Sequence, residues 1–442
     1  MDFDKTNLLK SSKEESTYIA EYFKAIAHPM RLKILITLTL EGLCNFLRLK
    51  KLTNLSKTAL ANHLSQLENL KLIKRIERGH YKVTEDGELL VHNNIALYRS
   101  SEFSKINTRQ SIGQQYMKSI SNIKKLSNIE FKSYWVSQLV SLYGCLEYLG
   151  INISMPWLFG ITGHAFIINI ADHICPSGPT AWKNNMIRDL VQNVGASVEE
   201  FCADREDPDY EKKLKYAWDF VRSSIRDNNP CYGWQIGDVS EYYIIYGYDN
   251  NGYYYKGYFQ EEGAGPKSWK EIGQMFIKMY SVKKDTTTVD IPTQVKKALK
   301  MVLKHSKNPD DWIYKPKYSS GLIGFDRWIK WVENGKAEQF GQAYNSQVWA
   351  ECRQEAVKFL QEAKVHLNNK VKPYLEKAIE NYEIVANNLT KVAELYPFEM
   401  KKLTIDPIGI NDKSKVTINL LKKAREAESN GLRDLENIIE LL

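Results

Sequence analysis

The sequence predicts an α+β protein: an N-terminal winged helix-turn-helix, a larger α+β domain and a helical C-terminal extension. Three observations carry this expectation. Apolar stripes at helical spacing fill residues 19–67 and give way to two short strand patterns joined at Arg78-Gly79. The chain becomes aromatic and apolar at Tyr134, and strand-like runs follow. After about Pro292 the pattern is mostly helical and ends in one amphipathic stretch, residues 414–442.

Taken in order, the polar first dozen residues are expected to fray. Ile19, Tyr22, Phe23 and Ile26 mark one helix, and Pro29 opens a second, where its missing N–H is harmless. Met30, Ile34, Leu35 and Leu38 form the stripe of that second helix, and Gly42 stops it. Leu47 and Leu52 fit a short third helix. Ser56 is a good N-cap for a fourth, in which Leu60, Leu64 and Leu67 recur at helical spacing. Strands are expected at 72–77 and 80–84, and another helix near Asp86. The predicted boundaries are 1–95 for this module, 96–130 for a linker expected to be helical, 131–290 for the α+β domain and 291–442 for the extension. In the α+β domain strands are expected at 165–170 and 242–248. Asp249-Asn250-Asn251-Gly252 then turns the chain into a partner strand at 253–258.

Composition narrows the function classes. The 442 residues are 43% hydrophobic and 26% charged, a globular balance with room for two domains. The net charge of +8 is mild, so its distribution matters more than its total. The six cysteines are scattered without a CxxC pair, which argues against a disulfide framework or a zinc module. No apolar run approaches a membrane span, and the polar N-terminus is unlike a signal peptide. The expectation is a cytoplasmic protein with no membrane contact, metal or cofactor.

The fourth helix and the hairpin after it carry the DNA-binding pattern. Ser56, Lys57, Thr58, Ala59, Asn62, His63 and Gln66 stand at or between its apolar positions, where they can reach bases and phosphates of a major groove. Asn and Gln suit adenine, while Lys and the helix N-terminus suit phosphate. Lys74, Arg75, Arg78 and Lys82 of the hairpin would sit over the backbone or minor groove, and Arg48, Lys50 and Lys51 extend the basic surface. The runs FKAIAHPMRLKIL (23–35) and LSKTALANHLSQL (55–67) resemble the opening signature and recognition-helix pattern of the ArsR family of winged-helix regulators. The resemblance covers about the first 90 residues. It implies homodimers on a palindromic double-stranded operator, usually repressing until an effector releases them. Metal-sensing members carry paired cysteines before the recognition helix. Here Cys44 stands alone, a poor metal site that reads as a buried structural residue.

In the large domain Cys145-Leu146-Glu147-Tyr148-Leu149-Gly150, Gly163-His164, the Pro/Gly-rich loop at Cys175 and Glu241 before the strand ending Gly247-Tyr248-Asp249 stand out. This layout resembles a papain-like fold, as in proteins similar to the butirosin biosynthesis protein H acyltransferase and the bacteriocin-processing cysteine peptidases. That resemblance implies a Cys nucleophile at the start of the helix ending at Gly150 and a His before the later strand. Near that start stands Ser137, and Glu241 occupies the expected His position. A scaffold without its nucleophile and base, reused to bind a small molecule or peptide, is therefore expected, with no catalytic residue assigned.

His164, Cys175, Trp182, Trp234, Glu241, Tyr344 and Trp349 are the candidate ligand-binding residues. His164 and Cys145 can equally be packed core residues, and Cys175 can be a functional thiol. Tyr344, Asn345 and Trp349 are placed near one helical face, either as a lid over the cleft or as packing. As a lid, their aromatic walls with Glu241 and Glu351 would suit a cationic ligand. The leading expectation is a transcriptional regulator whose large domain binds an effector and thereby changes the spacing of two recognition helices. The alternatives are a cysteine-dependent acyltransferase or peptidase-like enzyme pairing Cys145 or Cys175 with His164, and a scaffold that recruits another protein. The last helix serves as a dimer helix or as a strap.

Overall fold

The computed structural model describes residues 12–77, 79–101, 123–274, 276–314, 316–400 and 402–442. The chain divides into two compact units, Met1–Ile120 and Ser121–Leu442. Arg78, the start of the N-terminal polar stretch and most of the expected linker lie outside the described residues.

In the first unit α1 (Ser16–Ile26) and α2 (Pro29–Glu41) precede β1 (Leu43–Asn45), α3 (Phe46–Thr53), α4 (Lys57–Asn69), β2 (Ile73–Glu77), β3 (His80–Val83) and α5 (Glu85–Ser100). Side chains start four of these helices. His28 Nδ1 accepts from Met30 N, Asn45 from Arg48 N, Ser56 from Ala59 N and Thr84 from Gly87 N. Such caps satisfy otherwise orphaned N–H groups and are worth about 1 kcal/mol each. Gly42 ends α2 at φ 74°, a conformation other residues adopt only with strain. The strands pair in the order β1-β3-β2, all antiparallel. β1 was not anticipated. Ile34, Leu35, Leu38, Leu49, Leu60, Leu64, Leu67 and Tyr81 close the core. Leu47, expected to help define the third helix, is exposed, and Leu49 takes the buried position.

The second unit is a mixed α/β body with a C-terminal helical region. Its strands are β4 (Lys124–Lys125), β5 (Asn169–Ala171), β6 (Val194–Asp204), β7 (Cys231–Trp234), β8 (Tyr242–Tyr248), β9 (Gly252–Gly257), β10 (Gln260–Ser268) and β11 (Phe276–Thr288). A seven-stranded sheet runs β10-β9-β8-β7-β11-β6 with β4 added against β8, while β5 pairs with Tyr318–Ser320. Asp249 Oδ1 accepts from Asn251 N and Gly252 N and so closes the β8–β9 turn. Period-two alternation divides the sheet faces. Tyr232, Tyr242, Ile244 and Tyr280 join the core that contains α6 (Ser137–Tyr148). Cys231, Tyr243, Ile245 and Met279 meet α9 (Tyr210–Arg226) on the other face. The other described α-helices of this unit before residue 339 are α7 (Met155–Ile161), α8 (Asn185–Val191), α10 (Ile291–Lys307) and α11 (Gly321–Glu333).

Two expectations need correcting here. Residues 291–442 are not a separate extension, because one core runs from Ile129 to Ile438 and includes α12 (Gln339–His366), α13 (Lys372–Leu395) and α14 (Asp412–Leu441). The strand expected at 165–170 is only Asn169–Ala171, and His164–Phe166 is a 3₁₀ turn. The cause is tertiary. Buried Arg353 donates to the Ala165, Ile167 and Phe166 carbonyls at 2.8, 2.9 and 3.2 Å, where strand partners would otherwise bond. Glu428 neutralises that guanidinium through two bonds of 2.7 and 2.8 Å. Among the described residues no helix is long and apolar enough to cross a membrane.

Candidate functional site

In the first unit α4 buries Leu60, Leu64 and Leu67 and exposes Lys57, Thr58, Asn62 and Gln66 beside its exposed cap residue Ser56. Ala59 and His63 are half-buried. Gln66 is already engaged, its Oε1 accepting from Arg31. The His63 ring lies 4.5 Å from that of His28. Burial, then His28 and Arg31, hold its imidazole below the usual value and favour the neutral form. Lys74, Arg75 and Lys82 are exposed on the β2–β3 hairpin, with the Arg75 guanidinium over the Tyr81 ring. Arg48 is paired with Glu41 at 3.0 Å, so it adds less positive field than Lys50 and Lys51.

In the second unit a cavity of about 800 Å³ is lined by Trp135, Cys175, Trp234, Glu241, Tyr344, Glu351 and others. That volume suits a drug-sized molecule. Besides the loop carrying Cys175, Pro176, Ser177, Thr180 and Ala181, three regions build it. The first is the N-terminal approach to α6, carrying Tyr134 and Trp135. The second is the sheet, with Trp234 from β7, Tyr242 from β8, and Phe276 and Lys278 from alternate positions of β11. The third is α12, with Phe340, Tyr344 and Glu351, together with Phe398 after α13. At about 100° per residue, positions 340, 344 and 351 fall within about 40° of one another. Asn345 and Trp349 fall on the opposite side.

That geometry corrects the single face expected for Tyr344, Asn345 and Trp349. Trp349 is buried and donates to Asn345 Oδ1 at 3.2 Å. Asn345 Nδ2 in turn donates to the Ile174 and Cys175 carbonyls at 3.1 and 3.3 Å. Both therefore position the Cys175 loop from inside the core instead of touching the cavity. Trp182 is likewise buried, its Nε1 bound to Pro179 O at 2.9 Å. His164 lies behind the cavity, on a crevice of about 20 Å³ that it shares with Ser137 and Glu241. Four of the seven expected ligand residues, Cys175, Trp234, Glu241 and Tyr344, line the cavity itself.

Glu241 is the centre of a polar knot. Ser137 Oγ donates to its Oε2 at 2.5 Å, Tyr344 Oη donates to its Oε1 at 2.7 Å, and Tyr242 N donates to Ser137 Oγ at 3.1 Å. Burial pushes Glu241 up to about 7 against the lowering effect of those hydroxyls. Glu351 Oε1 accepts from Trp135 N at 2.7 Å, and burial pushes its carboxyl up to about 8. Trp135, Phe340, Tyr344 and Phe398 form one edge-on and stacked ring cluster, and Trp234, Tyr242 and Phe276 form another.

The cysteines are arranged differently from the pairs expected. His164 Nδ1 lies 3.7 Å from Cys352 Sγ, while Cys145 Sγ lies 3.8 Å from Cys231 O and Cys175 Sγ accepts from Ser177 at 3.2 Å. Burial lowers His164 to about 3 and raises Cys352, so that pair stays neutral. Among the described residues no group of three His, Cys, Asp or Glu side chains is placed to hold a metal. Sequence reasoning missed Trp135, Phe340 and Phe398. Only Trp135 carried a signal, the rise in aromatic content at Tyr134. No protein-family model and no curated relative matches the chain.

Proposed function

We propose that the protein is a DNA-binding transcriptional regulator whose second unit binds a small molecule or peptide in the aromatic cavity. One observation carries the DNA-binding half. The capped helix α4 exposes Lys57, Thr58 and Asn62 while its leucines are buried, and exposed Lys74, Arg75 and Lys82 stand on the adjoining hairpin. Element order, caps and antiparallel hairpin support the reading as a winged helix-turn-helix, the fold that the ArsR-like signature implies. Exposed apolar residues on α1 (Tyr18, Ile19, Phe23) and on α5 (Leu89, Tyr98) favour a homodimer, which a palindromic operator requires.

The papain-like ancestry of the second unit is supported by register. Ser137, at the start of α6, and Glu241, before β8, occupy the expected nucleophile and base positions and are hydrogen-bonded to each other. A serine and a carboxylate in place of thiolate and imidazole fit a scaffold kept for binding. The test is selection of duplexes from a random library by the full-length chain. Enrichment of a palindrome supports the function, with Asn62→Ala relaxing the selected sequence and Lys57→Ala weakening every duplex alike. Recovery of unselected sequence refutes it.

A further inference from the structure

We propose that the cavity is built for a lipophilic organic monocation, its charged centre set against Glu241 and Glu351 and its apolar substituents against the surrounding rings. This rests on the effector-binding function above and names the chemistry of the effector.

The two carboxylates come from distant segments and line one cavity. Their fixed partners are neutral donors: the hydroxyls of Ser137 and Tyr344 for Glu241, and the Trp135 backbone N–H for Glu351. Lys358 acts on Glu351 through space but is held by Glu355 at 2.7 Å. Buried Glu355 adds to the upward push on Glu351, Cys352 beside it is a thiol raised by burial, Cys175 lines the same cavity, and Tyr134, Tyr243, Tyr258 and Tyr344 are phenols pushed upward by burial. A carboxylate withdrawn from water without a counter-ion is costly, and a bound cation removes that cost.

Trp135, Phe340, Tyr344 and Phe398 line the cavity, and aromatic rings attract an ammonium or phosphonium centre over their faces. Lys278 is the cationic side chain among the described lining residues. With both carboxyls in the ionised form that a bound cation favours, it leaves one net negative charge, hence a monocation. Trp234, 8% exposed on the same wall, has an Nε1 with no acceptor among the described residues.

The probe is a shape-matched pair, tetraphenylphosphonium and tetraphenylborate, titrated into the full-length protein by calorimetry near pH 8. The cation is expected to bind at least about tenfold more tightly than the anion. That preference should shrink severalfold in Glu241→Gln and in Glu351→Gln. Equal affinity, preference for the anion, or no binding of either ion overturns the inference. The comparison in the unmodified protein stands even where a variant folds poorly. Because calorimetry needs no DNA, the two claims fail separately. Phosphonium binding that leaves duplex affinity unchanged retires the sensor function and keeps the cation site. A peptide or anionic effector that alters duplex affinity, with no phosphonium binding, does the reverse.

Discussion

Replacing Glu241 by Gln should stabilise the second unit at pH 8 and lose most of that effect at pH 5. The carboxyl titrates near 4.5 when free and is pushed to about 7 in the folded protein, chiefly by burial. Between those values the unfolded chain has released a proton that the folded chain keeps. Stability therefore falls as pH rises through this window and levels off above about 7. At roughly 1.4 kcal/mol per pH unit the full cost of ionised Glu241 is about 3 kcal/mol, or about 2 after allowing for solvent on the cavity side. Gln keeps the shape and can bond both hydroxyls, since Ser137 and Tyr344 can each donate or accept. Thermal melting of parent and variant at both pH values checks this. The variant should melt a few degrees higher at pH 8, with a difference below about 1 kcal/mol at pH 5. Glu351 titrates in both proteins and cancels. A variant equally destabilised at both pH values would show that the knot stabilises the fold through its hydrogen bonds and would refute the reasoning.

Four further outcomes are expected. Glu428→Ala should cost about 3–5 kcal/mol in urea unfolding, because it strands the buried Arg353 guanidinium, and a loss under about 1 kcal/mol would contradict this. Ser56→Ala should cost about 1 kcal/mol by removing the α4 cap, seen as faster amide exchange at Ala59. Lys57→Ala should reduce the salt dependence of duplex binding by about one counterion, whereas an unchanged slope would move Lys57 off the phosphate backbone. Ser137→Cys combined with Glu241→His should create a thiol that reacts with iodoacetamide near neutral pH, while the buried native thiols of Cys145, Cys231 and Cys352 stay slow. Failure of the double variant to react would count against the papain-like register.

Local chemistry was legible and distant assembly was not. Ser56, Pro29, Gly42 and the Asp249–Gly252 turn each act within a few residues of themselves, and each appears where the sequence places it. The long strands β6 and β11 escaped notice because charged and polar residues on their exposed stretches dilute the alternation. The 3₁₀ turn at His164 is held by Arg353, nearly two hundred positions away, which no local pattern reveals. In the cavity Trp234, Glu241 and Tyr344 could be found from strand ends and aromatic spacing. Phe398 could not, since it reaches the wall only after α13 has folded back onto α12.

The central claim, that one chain links cavity occupancy to operator affinity, is tested most directly by native mass spectrometry. The sample is protein from its own host mixed with the selected duplex. Coupling is reciprocal, so a retained effector must occupy DNA-bound and DNA-free dimers unequally, by about fivefold or more for a coupling of about 1–3 kcal/mol. Two chains per duplex with unequal effector occupancy is the predicted result. Absence of a duplex-bound species, or equal occupancy in both, contradicts the account.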